Sequence, residues 1–312
     1  MIEIQGIYTK AVIYTDSIDN AVRGQLTALC NSPAMQGTQI RVMPDVHVES
    51  WVEGTTIRFK DRIIPALIGT DIGCGVLRAP FQAKGKIDFA KIDKVIRENV
   101  PSGRGIRKKA HRYTNLIDLG ELKCAKHEKI DKAMLSIGTL GGGNHFIEIA
   151  EGPYILIHTG SRHLGAEVAK WYQDTAFAAH NDDSPYKMAW VDGSLMADYI
   201  HDVIILQHYA ELSRKSVADE ICRGKGNDDW NDSAPHGAGR LYSRSEVKEH
   251  FTFSQYKLAM KGIHSFCVDR TTLDECPMAY KPMEEIVTKI GPTVEIEHII
   301  KPLYNFKAGC ED

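Results

Sequence analysis

The sequence predicts a mixed α+β fold, and three observations carry that prediction. Apolar residues follow strand spacing near the N-terminus and form a short buried-strand run at Tyr154, Ile155, Leu156 and Ile157. They follow helical spacing over long stretches between Ala166 and Cys222, and the two kinds of segment interleave without the regular beat of βαβ units. With 43% apolar side chains in 312 residues, the chain can bury a sizeable core, which excludes a disordered protein.

Taken in order, Ile2 and Ile4 and then Ala11 to Tyr14 read as strands. Ser17 is placed to cap a helix that turns Ile18, Val22, Leu26 and Leu29 inward. Short strands are expected from Gln39 to Met43 and from Gly54 to Phe59. Asp88 caps a helix with Phe89, Ile92, Val95 and Ile96 on one face. The Tyr154 to Ile157 strand runs straight into His158-Thr-Gly-Ser-Arg162. Helices follow from Ala166 to Ala179 and from Leu195 to Cys222, the second with Met196, Tyr199, Val203, Leu206, Ala210, Val217 and Ile221 along one stripe. Ser243 and Glu246 have capping-box spacing for a helix beginning near Arg244. A helix from Met283 to Ile290, a strand near Val294 to Ile300 and a closing segment Pro302 to Lys307 complete the chain. No repeat or Pro/Ser-rich linker divides it, so residues 1–312 read as one domain.

Basic and acidic side chains nearly balance, 38 against 41, for a formal charge of −3. A sequence-independent polyanion coat needs many cations on one surface, so any phosphate recognition must be local. Cysteines 30, 74, 124, 222, 267, 276 and 310 are odd in number and scattered, with no CxxC pair, which speaks against a disulfide framework or a zinc ribbon. No apolar run approaches the roughly 20 residues of a membrane span, and the N-terminus lacks a basic and apolar leader. A cytoplasmic protein without a membrane partner is expected.

Four clusters concentrate glycine with metal-binding or nucleophilic side chains. The first is Met43-Pro-Asp-Val-His47. The second is Ile68-Gly-Thr-Asp-Ile-Gly-Cys-Gly-Val76, where a flexible turn can face the Asp71 carboxylate and the Cys74 sulfur to one point; hard oxygen with soft sulfur suits a borderline divalent transition metal. Taken alone, that tetrapeptide reads better as a glycine-rich turn around a buried, inert cysteine. The third is Gly138-Thr-Leu-Gly-Gly-Gly-Asn-His-Phe-Ile-Glu148, whose glycines let backbone N–H groups approach a phosphate. His145 and, at the strand exit, His158 add imidazoles, so Asp71, Cys74, His145 and His158 form a metal-type set drawn from three loops. The fourth is His236-Gly-Ala-Gly-Arg-Leu-Tyr-Ser-Arg244, in which a histidine beside small residues can attack phosphorus while Arg240 and Arg244 hold its oxygens. The alternative for this cluster is a solvated loop.

Read together, MPDVH, IGTDIGCGV, TLGGGNHFIEI, IHTGSR, SAPHGAGRLYSR and TTLDECPMAYKP…IKPLYNFKA resemble, in the same order, the RtcB family of RNA-splicing ligases, from about residue 40 to Ala308. The resemblance implies a fold of stacked β-sheets flanked by helices. It implies joining of RNA ends bearing a 2′,3′-cyclic phosphate or 3′-phosphate to 5′-hydroxyl ends, with GTP and manganese, two ions in an intact site. The RNA would be broken or spliced ends, tRNA among them, in splicing or repair. Asp71, Cys74, His145 and His158 would be the manganese ligands and His236 the guanylylated nucleophile. Asn144, His145, Phe146, Ile147, Glu148, the stretch His236, Gly237, Ala238 and Gly239, and Lys307 would line the guanine-nucleotide pocket. Ser102 to Arg112, with five basic side chains and His111, is a candidate RNA-facing segment, and a solvated face is its alternative.

The chain also departs from the family. A segment that in the family carries a His-Asn metal ligand, a basic stretch and a serine-bearing nucleotide loop is missing near residues 222–224, and Glu49-Ser-Trp51 stands where glycines are usual. His180-Asn181 and His208 are poor stand-ins for the lost ligand. Two readings follow: a shortened but active GTP- and manganese-dependent ligase, or a ligation-deficient relative that binds metal and RNA ends or only hydrolyses cyclic phosphate. A thiol hydrolase built on Cys74 is a third.

Overall fold

The structure, a computed structural model, describes residues 1–48, 51–80, 87–127, 129–152, 154–180, 185–222, 241–242, 244–290 and 300–307. The N-terminal sheet has the order β1 (Ile2–Gln5), β2 (Lys10–Ile13), β3 (Gln39–Val48), β4 (Val52–Arg58), with β2 and β3 parallel and the other pairs antiparallel. Helix α1 (Asn20–Cys30) covers it, burying Val22, Leu26 and Leu29 against Ile13, Ile40 and Val42. Each such side chain contributes about 1.5–3 kcal/mol of burial. The cap is Asp19, whose Oδ1 accepts from the Val22 amide at 2.7 Å, and not Ser17. A carboxylate one residue before the helix reaches that amide, whereas Ser17 lies two residues too early.

Strand β3 also runs past Met43, through Pro44 to Val48. Its ladder with β4 slips between the Val42–Thr55 and His47–Glu53 pairs, so residues 43–46 bulge opposite Gly54. Proline has no N–H to offer a ladder, and a bulge is where its absence costs nothing.

The short strands β5 (Arg62–Ile63) and β9 (Val191–Asp192) pair with each other, and the second four-stranded sheet has the order β10-β7-β8-β6, all antiparallel: β6 (Gly75–Pro80), β7 (Phe146–Ala150), β8 (Tyr154–Thr159) and β10 (Pro302–Lys307). One face packs Ile147, Ile149, Ile155, Ile157, Tyr304 and Phe306 against Ile92 and Ile96 of α2 (Phe89–Asn99) and Val217 of the long helix α4 (Gly193–Cys222). Asp88 caps α2 as the sequence predicts. In α4 the stripe residues Tyr199, Leu206, Ala210 and Val217 are fully buried. Alongside it runs α3 (Arg162–Ala179), which starts four residues earlier than its apolar periodicity suggests. Helices at Arg244–His250 and Met283–Ile290 match expectation, while Ser243 and the strand near 294–299 lie outside the described residues.

Among the described residues Cys30, Cys74, Cys124 and Cys276 form no disulfide, whereas Cys267 is disulfide-bonded, a bridge that the scattered cysteine spacing did not predict. Among the described residues no helix is long and apolar enough to cross a membrane.

Candidate functional site

Three neighbouring strand ends assemble the metal-type set. Gly75 pairs with Thr159 and Phe146 with His158, so Cys74 just before β6, His158 near the end of β8 and His145 just before β7 arrive at one level. The Cys74 sulfur and one ring nitrogen of each histidine all lie within 4.8 Å of one another. Cys74 Sγ is 3.5 Å from His158 Nε2, and Asp71 Oδ2 is 2.7 Å from His145 Nε2. The turn that carries Asp71 and Cys74 rests directly on α4: Gly73 has φ +77°, and a Cβ there would come within 2.9 Å of the Gln207 Cα.

Both rings are oriented by the main chain. His145 Nδ1 donates to the Leu140 carbonyl at 2.9 Å and His158 Nδ1 to the Gly75 carbonyl at 3.1 Å, which turns each Nε2 toward the sulfur and the carboxylate. Such carbonyl-anchored imidazoles are the usual outer support of metal-ligating histidines. The Asp71–His145 contact closes through a proton or a cation. Burial pushes the Asp71 carboxyl up, but His145 and Arg162 outweigh it and hold it below the usual carboxylate range. Burial, reinforced by Asp71, pushes the Cys74 thiol up to about 12 against the opposing charge of Arg214. Without a cation the sulfur stays protonated near neutrality. A soft thiolate, two imidazoles and one carboxylate fit a borderline divalent metal.

Two arginines that the sequence reading did not assign to the metal set stand beside these donors. Arg162, at φ +61°, donates through Nη2 to the Gly103 carbonyl at 3.0 Å and through its backbone N–H to Asp71 Oδ1 at 3.3 Å. Arg214 reaches in from α4, and nothing in a helical periodicity announces it.

The face continues from Cys74 and His158 toward Lys307. The Phe146 ring lies 5.2 Å from that of His158. Glu148 is next on the same side of β7, and Asn305 opposite it on β10 donates Nδ2–H to Glu148 Oε1 at 2.6 Å. Burial pushes the Glu148 carboxyl up, moderated by Asn305 and Lys307. Lys307 Nζ lies 2.6 Å from Glu275 Oε2, and Arg244 Nη1 lies 2.5 Å from Glu275 Oε1 and 2.8 Å from Asp274. Arg244, expected at a phosphate, is thus occupied by two carboxylates. Asn144 is exposed beside the glycine loop, whereas the Ile147 side chain is fully buried in the core, leaving only its backbone to line a pocket. His236, Gly237, Ala238, Gly239 and Arg240 lie outside the described residues.

The basic segment 102–112 divides. Arg107 is spent on the Ile137, Gly138 and Asn99 carbonyls and on Glu220, His111 is buried, and Arg112 pairs with Asp219 at 2.7 Å. Arg104, Lys108 and Lys109 are exposed, and Gly103 ties their loop to Gly141. Of the histidines considered as stand-in ligands, His180 packs its ring 3.9 Å from Trp190 and bonds its carbonyl, and His208 sits 3.8 Å from Glu211. Neither joins the donor set.

Sulfur, imidazole and carboxylate side chains gathered at the strand ends of an antiparallel sheet, continuous with a carboxylate–amide–lysine row, make a group that could hold a metal ion. The chain belongs to the RtcB family: residues 25–223 and 219–308 match the model described as tRNA-splicing ligase RtcB. It is 26% identical over 361 aligned positions to the RNA-splicing ligase RtcB of Escherichia coli K12, covering 84% of this chain and 88% of the relative. RNA-splicing ligase RtcB1 of a second Escherichia coli strain is 25% identical over 363, with the same coverage. The tRNA-splicing ligase RtcB of Aeropyrum pernix is 41% identical over 71 residues, 22% of this chain and 15% of the relative. The family match falls in two stretches that meet at 219–223. Since 84% of 312 residues is about 262, the 361 aligned positions with the K12 relative include about a hundred that have no counterpart here.

Proposed function

We propose that this protein is an RNA ligase that joins RNA 2′,3′-cyclic phosphate or 3′-phosphate ends to 5′-hydroxyl ends with GTP, through a guanylyl-histidine intermediate at His236. The observation that carries the reading is the convergence of Cys74, His145 and His158 at one point, with Asp71 on His145, inside a chain of the RtcB family. These four side chains would hold manganese, which when bound supplies Lewis acidity to phosphate oxygens. The Leu140 and Gly75 carbonyls fix the two rings before any ligand arrives, so the donors need little reorganisation. Arg162, half-buried and tethered to Gly103, offers a fixed cation to an incoming phosphate beside the donors. Glu148, Asn305 and Lys307 offer an acceptor, an amide and a cation to a guanine nucleotide, and Phe146 joins that row to the metal end. RNA, including tRNA, would approach over Arg104, Lys108 and Lys109. We take the chain as one domain in which an internal block near 222–224 is missing, which the two-piece family match supports.

Incubation with α-labelled GTP and manganese tests the reading. Wild type is expected to take up label and His236→Ala none; absence of label in both overturns it. The block with no counterpart favours a second reading, a relative that binds metal and RNA ends, or hydrolyses cyclic phosphate, without sealing. Sealed product from RNA with a 3′-phosphate excludes that one.

A further inference from the structure

One side chain links two of the segments that carry the metal-type donors without being a donor itself. Arg214 Nη1 donates to the Gly73 carbonyl at 2.8 Å and to the Thr159 carbonyl at 2.7 Å. Gly73 immediately precedes Cys74, and Thr159 immediately follows His158. A single nitrogen from α4 therefore joins the neighbour of the sulfur to the neighbour of an imidazole, across the 3.5 Å gap between Sγ and Nε2. Its guanidinium carbon lies 3.6 Å from where a Cβ on Gly75 would be, so it also backs the start of β6. The acidic groups facing it are Cys74, Glu211 and Asp71; of these, Glu211 is paired with Lys215 at 2.8 Å. The close seat of Gly73 on Gln207 and Leu206 is what lets α4 deliver the side chain at this depth.

We propose that Arg214 is a positioning residue of the metal centre: by clamping the Gly73 and Thr159 carbonyls it fixes Cys74 against His158 and thereby sets the affinity of the site for a borderline divalent cation. The inference rests on reading Cys74, His145 and His158 as metal donors. Its physical basis is preorganisation: donors on separate segments bind weakly unless something outside the donor shell fixes their spacing. Lysine carries the same charge but is one bond shorter, so from the same Cα it falls short of the two carbonyls, and charge alone does not replace the clamp.

Cobalt(II) titration of the full chain, followed by thiolate-to-cobalt charge-transfer absorption, tests this without any activity assay. Wild type is expected to show the band and Cys74→Ser to lack it. Arg214→Met and Arg214→Lys are expected to bind cobalt about 10–100-fold more weakly, with a changed band, while Arg214→Lys still melts cooperatively without metal. Wild-type affinity and band in folded Arg214→Lys overturn the proposal, and that variant decides if Arg214→Met fails to fold. A wild type with no thiolate band overturns the metal reading itself, and the positioning role falls with it.

Discussion

At the Cys74 end of the β7–β8 face the functional side chains are held by main-chain atoms, His145 by the Leu140 carbonyl and His158 by that of Gly75. At the Lys307 end they hold one another: Asn305 on Glu148, Lys307 and Arg244 on Glu275. Backbone anchors survive loss of any one neighbour, because strand pairing fixes the carbonyls. Mutual anchors do not, because removing the Glu275 carboxylate takes the paired anion from Lys307 and leaves Arg244 on Asp274 alone. The difference predicts that the first end breaks through backbone geometry and the second through charge.

The largest effect should come from the backbone at the first end. Gly141 has φ +84°, and a Cβ there would fall 1.6 Å from Arg162 Nη1, so Gly141→Ala must displace the half-buried arginine and strain the loop next to Leu140. A loss of about 1–3 kcal/mol from overpacking is expected in urea unfolding, with weaker cobalt binding. Unchanged stability and binding would mean that the loop is free to shift.

Glu275→Gln should cost somewhat less, about 1–2 kcal/mol at neutral pH, since Arg244 remains partly solvated and keeps Asp274. The sign with pH follows from the carboxyl itself. Burial raises it, but Lys307, Tyr280 and Arg244 outweigh burial and hold it below 4.5, the value of a free glutamate side chain. Its contribution is therefore fully present above 4.5 and drains away as pH falls through the lower folded value. Thermal melts of wild type and Glu275→Gln should converge in acid; a constant gap at every pH would show that the charge is not what matters.

The smallest effect belongs to the basic loop. Arg104→Ala should weaken RNA binding slightly and lower its salt slope by about one counterion, whereas Arg112→Ala, already paired with Asp219, should leave both unchanged. Equal slopes for the two variants would remove the distinction between them.

Periodicity and capping carried much of the fold. The α4 stripe and the Asp88 cap are visible because burial on one face and an orphan amide each leave a mark on residue type. What escaped has physical reasons. A bulge lets β3 run through Pro44, and strand spacing alone cannot foresee four residues set against one. Asp71, Cys74, His145 and His158 were legible as residue types, and the structure brings them together; that they ligate metal remains the proposal made above. Arg214 was illegible because it is an ordinary helical arginine until tertiary packing brings α4 over Gly73. The apparent basic patch at 102–112 misled because sequence cannot distinguish Arg107, spent on carbonyls, from Lys108, left in solvent.

The strand order β10-β7-β8-β6 also sets a schedule. All three strands that bring Cys74, His145 and His158 to one level have left the ribosome well before Pro302–Lys307 exists. The Cys74–His145–His158 group can therefore close on a growing chain, while the row ending in Lys307 waits for β10 to be made and to dock on β7. A nascent protein would complete the first group before it could complete the second, and a chain stalled between the two would hold the first without the second.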